Sequence, residues 1–153
     1  MRKKIDRILG IILVVIMGIM VVNVLWQVIS RFIVGSPSSF TDELARYLMI
    51  WIGVLGAAFV SGKKRHVAIE LLPSRAGKRT QRRLRMLVAA LVFAFALLAM
   101  VLGGSRLVYI SYLLGQKSPA LQIPLALVYM IIPLSGLLIA WYKWNDLTSE
   151  SHG

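Results

Sequence analysis

No cysteine occurs among the 153 residues, so disulfides, thiolate metal sites and cysteine nucleophiles are excluded. Histidine is nearly as scarce, with only His66 and His152, and both fall in polar segments outside the apolar runs. Six acids stand against eighteen Lys and Arg, and none of the six lies in the middle of an apolar run. Membrane enzymes such as intramembrane proteases or lipid-modifying transferases need clustered Asp, His or Ser at their centre. This chain offers no such cluster. Internal repeats and low-complexity tracts are not evident either, which removes the inverted-repeat signature of many self-sufficient transporters.

What the chain does have is four long apolar runs: Ile8 to Ile29, Leu44 to Val60, Leu84 to about Gly103 with an extension as far as Gly115, and Leu121 to Trp141. Each is close to the roughly 20 residues an α-helix needs to cross the hydrocarbon core of a bilayer. Inside lipid every backbone polar group must find a partner within its own segment, so these runs read as helices even where Val and Ile abound. Met1 to Val22 begins like a secretory signal, but its apolar part is too long and no small-x-small cleavage site follows, so it reads as a retained first helix. The expectation is an all-α integral membrane protein forming a single domain over residues 1–153, with four transmembrane helices.

Positive charge gives the orientation. Fourteen of the eighteen basic residues fall in the N-terminal tail (Arg2, Lys3, Lys4, Arg7), the second connection (Lys63, Lys64, Arg65, Arg75, Lys78, Arg79, Arg82, Arg83, Arg85) and the C-terminal tail (Lys143). Arg31, Arg46, Lys117 and Arg106 are left for the other side, and because basic residues stay in the cytoplasm, both termini are expected inside. A formal charge of +12 would suggest nucleic acid in a soluble protein. Here the cations flank spans and face anionic headgroups, each attracted by about 1 kcal/mol. Ser74 to Arg85 reads as a basic interfacial helix lying along the membrane in the cytoplasmic loop between the second and third helices.

Polar residues within the spans are few and patterned. Asn23, Gln27, Ser30 and Arg31 share one face of the outer half of the first helix, turned toward protein or water: this subunit's own helices, a second subunit, or a transport pathway. Trp26 near the outer boundary and Trp141, Tyr142 and Trp144 at the inner one form an interfacial belt. Gly53, Ala57 and Ser61 recur every four residues in the second helix, a stripe that permits close helix packing. Arg106 lies about 30 Å from the inner end of the third helix and reads as a snorkelling anchor. Gly103-Gly104 is a candidate bend, Pro124 is expected in the first turn of the fourth segment, and Pro133 is expected to bend it.

The most specific stretch is FTDELARYLMIW, from Phe40 to Trp51. Ser39 or Thr41 is the expected cap, and Asp42 and Glu43 occupy a first turn that favours negative charge. Arg46 follows within ion-pair reach of both acids. Charges begin a spanning helix at a cost of about 2.5 to 3.5 kcal/mol each if drawn to the bilayer centre, so a network of Arg31, Asp42, Glu43 and Arg46 is expected to lock the outer hairpin. On the inner side His66 and Glu70 stand one helical turn apart. Two ligands are too few for a metal, and Glu70 has many cations to pair with.

These residues resemble a known family. Trp26 and Arg31 late in the first helix, DELARYLMIWIGVLGAA from Asp42 to Ala58, and His66, Val67 and Glu70 after a Gly-basic turn are similar to the DctQ-like small membrane subunit of tripartite ATP-independent periplasmic (TRAP) transporters. Members often carry Trp just before the acidic pair, where this chain has Thr41. The resemblance implies partnership with a large multi-spanning subunit that holds substrate and sodium, and with a periplasmic substrate-binding protein. It implies sodium-driven uptake of an organic acid of the dicarboxylate, keto acid or sialic acid class, in the bacterial inner membrane. No cofactor is implied for this chain, sodium belonging to the partner. A scaffold role needs apolar area, small-residue stripes and charged anchors, and anionic phospholipids are the expected partners of the basic loop. The alternatives are an accessory subunit of another membrane complex and a small self-assembling four-helix exporter; the latter normally carries an acid inside an early helix, which Ile8 to Ile29 lacks.

Overall fold

A computed structural model describes residues 2–33, 35–36, 38–63 and 78–151. Inner denotes the end of the bundle that carries both termini, and outer the opposite end. Lys64, Arg65, His66, Glu70 and Arg75, in the connection between the second and third apolar runs, lie outside the described residues, and of Lys78, Arg79, Arg82 and Arg85 only the helical backbone is described.

Among the described residues, six α-helices and one π-helical segment build four spans. The first span is α1 (Arg2–Phe32) and the second is α2 (Ser39–Gly62). The third runs through α3 (Lys78–Phe95), a π-helical segment (Ala96–Gly103) and α4 (Gly104–Leu113). The fourth consists of α5 (Leu125–Tyr129) and α6 (Ile131–Ser151). All four are long and apolar enough to cross a membrane. The helices outrun the apolar runs at most ends; α1 has 31 residues, or about 47 Å at the helical rise.

Of Ser74 to Arg85 the described part, Lys78 to Arg85, forms the first turns of α3 and continues without a break into the third span. The irregularity of that span is not a bend at Gly103-Gly104 but the wider π turn before it, and α-helix resumes at Gly104. Such π segments are rare and interrupt α-helices locally.

The fourth span breaks where proline chemistry requires it. Pro124 stands just before α5 in extended conformation rather than inside its first turn. Pro133 has no N–H and its ring opposes the carbonyl four residues back, which is that of Tyr129. Tyr129 is the last residue of α5, and α6 starts two residues later.

The spans pack in the order first, second, fourth, third. α1 lies chiefly on α2, α2 on α6, and α6 on α3 and the π segment, while α4 packs on α5. Leu9, Ile16, Leu55, Ile131 and Tyr142 form one buried cluster joining α1, α2 and α6. Ala58, Ala96, Ile139 and Ala140 form a second joining α2, the π segment and α6. The central position of the fourth span shows in its burial: 44% of its most apolar window is covered, against 17%, 11% and 11% for the first three. Much of α1 therefore presents apolar side chains outward, Val14, Val22 and Trp26 among them.

Close approach is supplied by other glycines than those of the expected stripe. Gly53 and Ala57 are exposed, and an added Cβ at Gly53 would meet nothing within 4 Å. At Gly136 it would come within 2.7 Å of Met100 Cβ and 3.1 Å of the Ala96 carbonyl oxygen. At Gly104 it would lie 3.0 Å from Ile132. The third and fourth spans thus meet through their backbones. Ser61, the last member of the stripe, turns inward with a buried hydroxyl that has no hydrogen-bond partner among the described residues.

Candidate functional site: the outer connections and the inner clamp

At the outer end α2 begins on Ser38, not on Ser39 or Thr41. The Ser38 hydroxyl accepts from the Thr41 N–H at 3.4 Å, and the Thr41 hydroxyl donates back to the Ser38 carbonyl at 3.0 Å. A serine just outside the first turn satisfies one of the orphan N–H groups of a helix start. With the cap one residue earlier, Asp42 and Glu43 remain in the opening turns of the helix.

The polar face of α1 closes onto this start. Asn23, buried, donates its amide N–H to the Thr41 carbonyl at 2.8 Å, and Gln27 donates to Asp42 Oδ1 at 2.8 Å. Ser30 turns back to the Gln27 carbonyl. Asn23 and Gln27 thus make hydrogen bonds within this chain. Arg31 does not join them. Its guanidinium is exposed, 6.0 Å from the ring of its neighbour Phe32, and it forms no ion pair with Asp42 or Glu43 among the described residues.

The two adjacent acids point to different partners. Asp42 takes Gln27 on one oxygen and Arg46 on the other, the latter at 3.5 Å between exposed side chains. Glu43 ignores Arg46. One of its oxygens accepts the Tyr47 hydroxyl at 2.8 Å, and the other accepts the backbone N–H groups of Ala120 at 2.8 Å and Leu121 at 3.0 Å. Hydrogen bonds to an ionised acceptor are shorter and stronger than neutral ones. A single carboxylate thus joins α2 to the connection between the third and fourth spans.

That connection is itself ordered by main-chain bonds. Ser118 N–H donates to Ile123 O at 2.9 Å, Gln122 N–H to Ser118 O at 3.0 Å and Leu125 N–H to Gln116 O at 3.0 Å. Gly115 and Gln122 take positive φ, the first at no steric cost. Ser118 is fully buried, and its hydroxyl accepts from Leu121 N–H at 3.3 Å. Lower down, Trp51 donates its indole N–H to the Val128 carbonyl at 3.1 Å, which ties α2 to the short helix α5. Trp51, which ends the charged stretch read from the sequence, thus braces two helices of this chain.

The inner ends are joined differently. The Tyr142 ring is fully buried and sits over Gly62, where an added Cβ would fall 2.7 Å from its Cζ. Its hydroxyl donates to Asp6 on α1 at 2.5 Å. Tyr142 is thus a clamp joining α1, α2 and α6 rather than a member of an interfacial belt. Lys143, expected in a cytoplasmic tail, belongs to α6; it is 1% exposed and pairs with Asp146 at 3.5 Å. Trp144 is exposed and stacks at 5.8 Å on Phe93 of α3.

Sequence reasoning found the charged start of α2 but missed Ser38, Tyr47, Ser118, Asp6 and Gly62. A lone acid in a basic tail was the available signal for Asp6. The acceptor role of Glu43 toward backbone 77 residues away left no trace in the sequence. Among the described residues no group of three or more His, Asp or Glu is placed to hold a metal ion. The arrangement can brace helices; it presents no constellation for bond-breaking chemistry.

Comparison with known proteins gives the context. The sequence profile of the family described as tripartite ATP-independent periplasmic transporters, DctQ component, matches residues 20–149. The ectoine TRAP transporter small permease protein TeaB of Halomonas elongata is 28% identical over 151 residues, covering 95% of this chain and 77% of that protein. The sialic acid TRAP transporter small permease protein SiaQ of Vibrio cholerae is 32% identical over 80 residues, half of this chain and 46% of that one. The isethionate TRAP transporter permease protein DctMQ of Oleidesulfovibrio alaskensis is 27% identical over 117 residues, which are 76% of this chain but 18% of that protein.

Proposed function

The chain belongs to the DctQ component family of tripartite ATP-independent periplasmic transporters, and from this premise we propose that it is the static scaffold subunit of such a transporter. The family is one of transporter subunits, not enzymes. In the proposed assembly the chain sits in a bacterial inner membrane with both termini in the cytoplasm and partners a large multi-spanning subunit. That partner carries an organic acid, of the dicarboxylate, keto acid or sialic acid class, down a sodium gradient after delivery by a periplasmic binding protein.

One observation carries the partnership. The isethionate permease matches this chain over a region that is only 18% of its own length, so a segment like this one is built into a far larger permease. The scaffold role is supported by what the geometry does. Hydrogen bonds and close contacts tie the spans at both ends, and the central fourth span is held by glycine contacts to the third. The exposed apolar faces of α1 and the third span supply area for a neighbour. Acidic and basic groups at the outer hairpin, Asp42 and Arg46, are exposed where a binding protein would dock. The basic inner segment faces anionic headgroups, each cation adding about 1 kcal/mol of attraction.

Co-expression with a large TRAP permease subunit from the same organism, followed by purification in mild detergent, tests the reading. The expected result is a stable complex that, with the binding protein, takes up an organic acid into liposomes only under an inward sodium gradient. Uptake by this chain alone, or full uptake by the large subunit without it, would overturn the scaffold role.

A further inference from the structure

Between the inner halves of α1 and α2 lies a groove of about 460 Å³, walled by Gly10, Ile11, Val14 and Phe59. Its volume is in the range of about 300–1,000 Å³ typical of small-molecule sites. Two features bear on what it can hold. Gly10 leaves the floor open: the nearest atom to an added Cβ is the edge of the Phe59 ring at 3.6 Å. A cation, Arg7, is also among its lining residues.

Arg7 lines the groove, is exposed, and forms no ion pair among the described residues. Lys63 is held with its Nζ 4.2 Å from the centre of the Phe59 ring, a cation–π contact that fixes an ammonium group at the edge of an apolar wall. Asp6 also lines the groove, but its carboxylate already accepts the Tyr142 hydroxyl. One cation, Arg7, and one engaged acid, Asp6, thus line the groove, a second cation lies against its Phe59 wall, and the rest of the lining is hydrocarbon.

We propose that this groove is a defined binding site for an anionic phospholipid, with an acyl chain along Gly10, Ile11, Val14 and Phe59 and the phosphate held by Arg7 and Lys63. An apolar cleft suits an acyl chain, and two nearby cations favour a headgroup of net negative charge over a zwitterionic one, whose phosphate is already neutralised by its own ammonium. The site is separate from the general attraction of the basic inner loop. Its assignment to the inner leaflet rests on the orientation proposed above; the site itself depends on neither that orientation nor the transporter role, because both walls belong to this chain.

Native mass spectrometry of the full chain in mild detergent, with equal amounts of phosphatidylglycerol and phosphatidylethanolamine of matched acyl chains, tests it. Retained adducts are expected to be mainly phosphatidylglycerol. Arg7→Gln and Lys63→Gln should each weaken retention about fivefold, with unchanged helical content by circular dichroism. Gly10→Leu, which fills the groove without altering charge, should lower retention of both lipids. Equal retention of the two lipids by the parent chain, or an undiminished preference in the Arg7→Gln/Lys63→Gln double variant, would overturn the proposal. So would a photo-crosslinker at Ile11 that, in the intact complex, captures a polypeptide instead of lipid. None of these readouts measures uptake, so the site and the scaffold reading fail separately.

Discussion

At the inner ends of the spans the chain is held by contact, with Tyr142 seated over Gly62 and reaching Asp6, whereas at the outer ends it is held by polar side chains that reach backbone groups. The difference follows from what each end has to join. On the inner side three helices converge at one level, and one aromatic ring fills the space between them. On the outer side two connections must be fastened to a helix start, and connections expose N–H and C=O groups that need partners. Glu43 satisfies two such N–H groups, while Asn23 reaches the Thr41 carbonyl in the first turn of α2. Packing tolerates little change of volume, whereas a hydrogen-bonded brace tolerates changes of shape but not of charge.

Three substitutions break or sharpen this contrast. The largest effect is expected at the inner end. Gly62→Leu would drive a side chain into the Tyr142 ring, and overpacking of this kind costs about 3 kcal/mol. The midpoint of unfolding in mixed micelles should drop accordingly; an unchanged midpoint would mean that the ring does not clamp the helices. Next is Glu43→Gln, nearly the same size but uncharged. Hydrogen–deuterium exchange should quicken at the amides of Ala120 and Leu121 while the inner ends of α2 and α6 keep their protection. Uniform loosening throughout would erase the distinction between the two ends. The smallest effect belongs to Arg46→Ala. Its pair with Asp42 is exposed on both sides, so the loss should stay under about 0.5 kcal/mol and shrink further in high salt. A larger loss in the assembled complex than in the isolated chain would assign Arg46 to a partner.

The number and approximate limits of the spans were legible because lipid leaves few alternatives to a long apolar helix. Their lateral order was not. Each span is apolar around most of its circumference, so no amphipathic stripe says which neighbour it faces. The small-residue pattern at Gly53, Ala57 and Ser61 looked like a packing seam, yet two of its members are exposed and the tight contacts fall at Gly62, Gly104 and Gly136. Single glycines in helices carry no sign of what approaches them. The charged start of α2 was legible as a motif, but local spacing assigned both acids to Arg46. Only Asp42 follows that rule. Glu43 is claimed by amides 77 and 78 residues downstream, and sequence spacing says nothing about such distant groups. Lys143 was read as a tail charge because the apolar run ends at Trp141, whereas α6 carries on to Ser151 and encloses it.

The Glu43 brace also sets which positions are free to drift. Main-chain amides are the same in every residue but proline, so the identities at 120 and 121 are irrelevant to the tie, and a proline at either would sever one strand of it. Position 43 has no such latitude, since aspartate is one methylene too short and glutamine accepts without charge. Related chains should accordingly vary at 120 and 121 in every way except toward an imino acid, while holding glutamate opposite them.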